Sequence, residues 1–282
     1  MTFNARALLV DLMPPILVRP ARQLWHRMCG FGSHTFEGSY RSLAEVPTKG
    51  RYDDDELVGP IVANGMNHLR LAGPTGKKKN DLTGHLILPE LVSQFTDDRL
   101  TVLDFGGGAA IGLISILDHV PCIDLAKFSY VLVETPAMCR AVKIAIGPIL
   151  KEKFGTSSFV NVLEDIPDSV SSPLIANASS SLQYLPDYKS VLRRLVRLSP
   201  KFFVVSQTPV TEGPTYARQQ LNLAYRRLAH WVFNRSEFIS EMDTLGYSNI
   251  FSVDHNLPLT HKNAPGLSSM TSMVFRRRSD KS

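Results

Sequence analysis

The 282-residue sequence contains only three cysteines, Cys29, Cys122 and Cys139, and none of their spacings forms a metal-ligand or redox pair. So few thiols, and an odd number of them, exclude a disulfide framework. They fit free cysteines in a reducing compartment, so a cytoplasmic protein is expected. No apolar run approaches the roughly 18 residues that a membrane span needs. The stretch from Ala7 to Val18 is broken by Asp11, Pro14 and Pro15, which excludes the continuous apolar core of a secretory signal. His-Glu-x-x-His, paired Cys-x-x-Cys and EF-hand patterns are absent, so no metal is expected. The Gly-x-Ser-x-Gly elbow of a hydrolase is also missing. Gly76-Lys77-Lys78 lacks the hydroxyl and the preceding strand of a phosphate loop. Neither charge dominates: 31 Lys plus Arg against 26 Asp plus Glu leave +5, part of it in Arg276, Arg277, Arg278 and Lys281. That excess is too mild to favour a nucleic-acid partner.

What is present describes a folded protein. Hydrophobic residues at 44% and charged residues at 20% allow a buried core in one large domain, or in a domain with a substantial cap. Residues 1–95 mix short helical patterns with punctuation: Gly30, Gly32, Gly50, the acidic run Asp53 to Glu56, and Gly73-Pro74-Thr75-Gly76 before Lys77-Lys78-Lys79. Trp25, Phe31, Phe36, Tyr40 and Tyr52 add apolar bulk without clean strand alternation. This segment reads as a mostly helical cap on the substrate side, and its aromatic surface suits a homodimer contact.

From residue 96 the pattern is α/β. Strands are expected at Thr101–Phe105, Ser129–Val133, Phe159–Leu163, Leu174–Ala178, Phe202–Ser206, Ile250–Val253 and Met270–Phe275. Helices are expected at Ala109–Leu117, Ala137–Ile149, Tyr188–Leu198, Ala217–Ala229 and Ser236–Leu245. Alternation of strand and helix implies a parallel sheet covered on both faces. The last two strands have no helix between them and should pair antiparallel.

The chemistry concentrates at strand ends. Val102-Leu103-Asp104-Phe105-Gly106-Gly107-Gly108-Ala109 is a strand running through three glycines into a helix. Such a loop lets the backbone approach a ligand and leaves helix N-terminal amides to face it. A dinucleotide fingerprint requires Gly-x-Gly-x-x-Gly, but Ile111 holds the third place and Gly112 comes one residue late. Asp104 would repel a pyrophosphate and suits a cation, amines or hydroxyls. Glu134 ends the second strand, 26 residues beyond Gly108, where a carboxylate can accept both hydroxyls of a ribose. Its alternative role is that of an ordinary acid near a helix start. Glu164 and Asp165 follow the third strand, where either could accept an adenine amino group. At the carboxyl end of the fourth strand, Asn177 and Ser179-Ser180-Ser181 keep space for cofactor and substrate.

Together these residues resemble the class I S-adenosylmethionine-dependent methyltransferases, over about Leu100 to Arg276. Asp104, Gly106, Gly107 and Gly108 look like that family's first motif, Glu134 its ribose acid, and Glu164 or Asp165 its adenine-side acid. Ser181-Leu182-Gln183-Tyr184-Leu185-Pro186-Asp187-Tyr188, Pro14-Pro15, Gly38-Ser39-Tyr40 and Phe233-Asn234-Arg235-Ser236-Glu237-Phe238 resemble a subgroup associated with surface-polysaccharide or natural-product biosynthesis. The resemblance implies a Rossmann-like, seven-stranded, mostly parallel sheet with one reversed strand in residues 96–282. It also implies S-adenosylmethionine as cofactor and S-adenosylhomocysteine as product. The departure is Ala110, where the family often carries a third glycine of Gly-x-Gly-x-Gly.

In that reading the acceptor is a small molecule, methylated at oxygen in preference to nitrogen. Orientation alone can contribute about 7–11 kcal/mol, which makes a dedicated base optional. His230, Tyr184 and His255 are the candidates for a base or substrate orienter. Three alternatives stay open: a nicotinamide-dependent oxidoreductase, a non-catalytic nucleoside-binding protein, and an RNA methyltransferase. Asp104 and the displaced Gly112 weigh against the first, and the absence of an Asn/Asp-Pro-Pro-Tyr string weighs against the last.

Overall fold

The computed structural model describes residues 36–71, 86–95, 99–171, 173–223, 226–255, 261–262 and 268–278. Pro14-Pro15, Trp25, Cys29, Phe31 and Lys77-Lys78-Lys79 lie outside the described residues, and with them much of the aromatic surface expected to support a homodimer.

Seven strands form the central part of the sheet. They are β2 (Leu100–Phe105), β3 (Phe128–Val133), β4 (Val160–Leu163), β5 (Leu174–Ser179), β6 (Phe202–Thr211), β9 (Tyr247–His255) and β11 (Ser268–Arg277). Their spatial order is β4-β3-β2-β5-β6-β11-β9. The pairs from β4 to β6 are parallel, and β11 runs antiparallel to both β6 and β9. The expected Rossmann-like sheet with one reversed strand is therefore present, including the antiparallel final pair.

The helices are α1 (Asp55–Leu71), α2 (Ile87–Ser93), α3 (Ile111–His119), α4 (Pro136–Phe154), α5 (Tyr188–Arg197) and α6 (Arg235–Thr244). Helices α5 and α6 start where short polar side chains take a free amide. Asp187 accepts the Ser190 N–H at 3.0 Å, and Asn234 accepts the Glu237 N–H at 2.7 Å. Period-two alternation divides each central strand between two apolar layers. Leu100, Val102, Ile175, Phe202 and Val204 face the layer under α1 to α4. Leu103, Leu174, Ala176, Phe203 and Val205 face the layer under α5 and α6.

Four more strands extend this sheet: β1 (Phe36–Tyr40), β7 (Tyr216–Leu223), β8 (Arg226–Asn234) and β10 (His261–Lys262), in the order β10-β1-β7-β8 next to β6. The expected helix over Ala217–Ala229 is thus corrected to the hairpin β7–β8. Its Ala, Arg, Gln and Leu content favours a helix locally, but pairing with β1 and β6 overrides that weak preference. The period-two signal was present in β8, where Leu228, His230 and Val232 are buried and alternate with more exposed neighbours. Strand β6 outruns β5: Ser179 pairs with Ser206, and beyond it Val210 and Thr211 pair with Phe233 and Asn234 of β8. The annex strands therefore rise past the carboxyl ends of the central strands, where ligands bind in open α/β sheets.

Among the described residues between β1 and β2, helices α1 and α2 supply most of the regular structure. Helix α1 lies directly on the glycine loop. A Cβ on Gly65 would collide with the Ala109 side chain and stand 3.0 Å from the Ala109 carbonyl oxygen.

Candidate functional site

The glycine loop is held from below by a buried polar knot. Asp104 is 1% exposed. Its Oδ1 accepts from Asn177 Nδ2 at 2.7 Å, and its Oδ2 accepts from the Tyr130 hydroxyl. The Tyr130 oxygen in turn accepts the Leu113 N–H at 3.1 Å. Leu113 is the third residue of α3, whose N-cap is Ala110, a residue with no side-chain acceptor. Tyr130 thus does from β3 what a capping Ser or Asp usually does. Burial raises the Asp104 carboxyl above its ordinary value, opposed by the donations from Tyr130 and Asn177. Gly107 and Gly112 make room for this carboxylate: a Cβ on Gly107 would overlap Asp104 Oδ2, and one on Gly112 would stand 2.7 Å from it. Ala110 adopts a left-handed backbone (φ 59°), a conformation that favours glycine.

Glu134 closes the loop from the second strand. Its Oε1 accepts the Gly108 N–H at 2.8 Å, and its Oε2 accepts the Thr135 N–H at 2.8 Å. Each oxygen keeps a second lone pair. Two amides expected to face a ligand, those of Gly108 and Leu113, are therefore taken by Glu134 and Tyr130. Burial raises the Glu134 carboxyl, and the two amides pull it back down.

Above this floor lies a cavity of about 440 Å³ at the carboxyl ends of β2, β3 and β5. Gly106, Glu134, Glu164, Asp165 and Tyr184 all line it, so the structure brings together five of the residues singled out by sequence. Ser180, Ser181 and Arg194 line it as well. Asp104, Asn177, Gly107 and Gly108 are not in the lining; they support the floor beneath it. Gly106 (φ 66°) permits a close approach, since a Cβ there would collide with Ser181. The Ser181 hydroxyl is buried at the edge of the cavity and has no hydrogen-bond partner among the described residues. At the opposite end Asp165 pairs with Arg194 at 2.9 Å, which holds its carboxyl below the usual range.

Of the candidates for a base, Tyr184 borders the cavity and His230 does not. Arg218 Nε donates to His230 Nε2 at 2.8 Å, so that nitrogen is the unprotonated one and its lone pair is occupied. The neutral ring then carries its proton on Nδ1, and neither nitrogen is open to receive another. Arg218 is fully buried, stacks on Phe36 with its guanidinium carbon 3.7 Å from the ring centre, and is pushed down to about 10 by burial. Tyr184 donates its hydroxyl to Gln220 at 2.7 Å, and burial pushes it up to about 12, which suits a positioning group rather than a base. His255 bonds Ser272 at 2.7 Å on β9, away from the cavity lining.

Sequence reasoning missed Tyr52. It comes from the turn before α1, lines the cavity, and sets its ring against Tyr184 at 5.7 Å between centroids and 31° between planes. No local pattern marks it, because its position depends on α1 crossing the glycine loop.

Among the described residues no group of His, Cys, Asp and Glu is arranged to hold a metal, and no helix is long and apolar enough to cross a membrane. No family model matches this sequence, and no curated protein matches it. Solved structures do. The [4+2]-cyclase SpnF matches with a TM-score of 0.50 at 11% identity, over 84% of this chain and 98% of that one. A 1,6-didemethyltoxoflavin-N1-methyltransferase of Burkholderia thailandensis, with 1,6-didemethyltoxoflavin and S-adenosylhomocysteine bound, gives 0.44 at 14% identity, over 83% and 92%. The CcbJ methyltransferase of Streptomyces caelestis gives 0.44 at 14% identity, over 72% and 94%. At these identities the match to SpnF shows a shared fold, and a fold hosts more than one reaction.

Proposed function

We propose that this chain transfers the methyl group of S-adenosylmethionine to a small-molecule acceptor, at oxygen in preference to nitrogen, in secondary-metabolite or glycan biosynthesis. The observation that carries the reading is Glu134, an acid at the end of β3 that lines the cavity with two unfilled lone pairs and binds the Gly108 amide. Glu134 would hold the ribose hydroxyls. Asp165, or Glu164 beside it, would take the adenine amino group. The Gly106 turn and the Ser181 hydroxyl would receive the methionine end, where the crowded glycine leaves the backbone open and the serine lacks a partner. When bound, the cofactor supplies a methyl group made electrophilic by its sulfonium. Asp104, Asn177, Gly107 and Gly108 keep the loop in shape. Tyr184 positions groups rather than accepting protons, and His230 braces the annex strands, so rate acceleration comes from alignment and exclusion of water.

A cavity of about 440 Å³ falls within the range of small-molecule sites, roughly 300–1,000 Å³. Residues 1–95 act as a cap over residues 96–282, a role supported by Tyr52 in the cavity wall and Gly65 against Ala109. The exposed thiol of Cys122 and the buried one of Cys139 suit the cytoplasm.

Calorimetric titration with S-adenosylmethionine, S-adenosylhomocysteine, NADH and NADPH tests the reading. Binding of the adenosyl compounds alone, lost in Glu134→Ala, is the expected result. Binding of the nicotinamide cofactors instead would make the protein an oxidoreductase. Binding of S-adenosylmethionine without turnover across a broad acceptor panel would leave a non-catalytic nucleoside-binding protein.

A further inference from the structure

The cavity carries an aromatic wall that its nucleoside-binding groups do not require. Tyr52 and Tyr184 come from distant segments of the chain, one from the turn before α1 and one from the turn after β5. Their rings lie too close together to admit a ligand between them and form one continuous surface. Tyr52 lines the same cavity as Glu134, while Tyr184 follows Ser181, which touches the Gly106 turn. The wall therefore runs from the ribose acid to the end of the cavity assigned to the methionine. In S-adenosylmethionine the group joining those two parts is the sulfonium.

We infer that Tyr52, backed by Tyr184, is a specificity-determining residue that holds the sulfonium cation against its ring face and so favours S-adenosylmethionine over S-adenosylhomocysteine. This rests on the cofactor reading above. The chemistry is that of a cation over an aromatic quadrupole, an attraction that grows when the pair is shielded from water. Burial, followed by the Glu134 charge, raises the Tyr52 phenol well above its ordinary value. The ring therefore stays neutral at any working pH, and a phenolate plays no part. Substrate and product share the nucleoside and the amino acid and differ in charge at sulfur. A ring acting on that charge aids release of the spent cofactor.

The test is calorimetric, with S-adenosylmethionine and S-adenosylhomocysteine titrated into wild type, Tyr52→Phe and Tyr52→Leu. Tyr52→Phe keeps the ring and should keep the wild-type ratio of the two affinities. Tyr52→Leu should lower that ratio roughly 5- to 30-fold, through weaker binding of the sulfonium compound alone. Pentafluorophenylalanine at position 52 keeps the ring's shape while withdrawing its π density, and should lower the ratio as leucine does even if the leucine variant folds poorly. Equal weakening of both ligands in Tyr52→Leu, or an unchanged ratio with the fluorinated ring, overturns the inference and leaves the cofactor reading standing. Failure of the wild type to bind either compound overturns both.

Discussion

The Tyr130 hydroxyl on β3 donates to the Asp104 carboxylate on the adjacent strand β2, with both residues fully or almost fully buried. The same oxygen receives the Leu113 amide, so one phenol joins two strands to the first turn of α3. Asp104 places a buried carboxylate near the positive end of that helix, which favours its charge there. The acid ahead of the glycines thus shapes the loop from beneath.

Tyr130→Phe should therefore act on stability first. It leaves the Leu113 amide and one Asp104 oxygen without their partner in a buried place, at a cost of about 1–3 kcal/mol for each unsatisfied group. Urea unfolding should show a lower midpoint at unchanged slope, with weaker binding of S-adenosylmethionine because the loop loses its anchor. A wild-type midpoint would mean that the phenol is not needed to cap α3.

Glycine-to-alanine substitutions in helices should be costliest where the helix meets the glycine loop. Gly59 in α1 and Gly147 in α4 meet nothing across the fold, but each precedes a proline of its own helix, Pro60 and Pro148, whose ring crowds a Cβ on the residue before it, so alanine there should gain none of the usual helix preference. Gly65, in the same helix as Gly59, meets Ala109 of the glycine loop. Its alanine variant should lose about 1–3 kcal/mol to overpacking, and S-adenosylmethionine affinity should fall with it. Thermal melts of the three variants, with calorimetry on Gly65→Ala, check this order. Stabilisation at Gly65 would separate α1 from the site.

Much of this arrangement was legible in the sequence. The 26-residue spacing from Gly108 to Glu134 becomes a direct hydrogen bond, because one βαβ unit returns the second strand end to the first loop. The antiparallel pairing of the final two strands followed from the missing helix between them. The hairpin β7–β8 was hidden because its composition suits a helix, and only pairing with β1 and β6 decides otherwise. Tyr130 left a fainter trace. A tyrosine inside the apolar strand Ser129-Tyr130-Val131-Leu132-Val133 needs a buried partner for its hydroxyl, but sequence does not name which one. Tyr52 left none, since its place depends on a helix crossing between distant segments.

Cofactor binding should weaken on acidification earlier than an ordinary glutamate would dictate. Burial raises the Glu134 carboxyl, so it takes up a proton above the usual value of about 4.3 and loses acceptor capacity for a ribose. Affinity for both adenosyl compounds should be level near neutral pH and fall as the pH drops through that raised value. The same shift acts on folding: its stabilising contribution is fully present below the unfolded-state value and is lost as pH rises through the folded one. Calorimetry from pH 8 to 4.5 on wild type and Glu134→Gln checks this. The glutamine variant should bind weakly with no such slope, and a wild-type profile level down to pH 4.5 would contradict the assignment.

His230 should prove structural. Arg218 Nε donates to it at 2.8 Å, and the guanidinium is fully buried. His230→Phe keeps the ring packed against Phe36 and Tyr184 but removes the acceptor for a charged donor, a loss of about 1.5–3 kcal/mol. His230→Gln can restore an acceptor and should recover part of that loss. Because His230 stands outside the cavity lining, both variants should bind S-adenosylmethionine as the wild type does at a temperature where they remain folded. Denaturant unfolding and calorimetry on the pair separate the outcomes. A stable His230→Phe with impaired cofactor binding would move the histidine into the site, whereas lost stability at intact affinity leaves it bracing the annex strands.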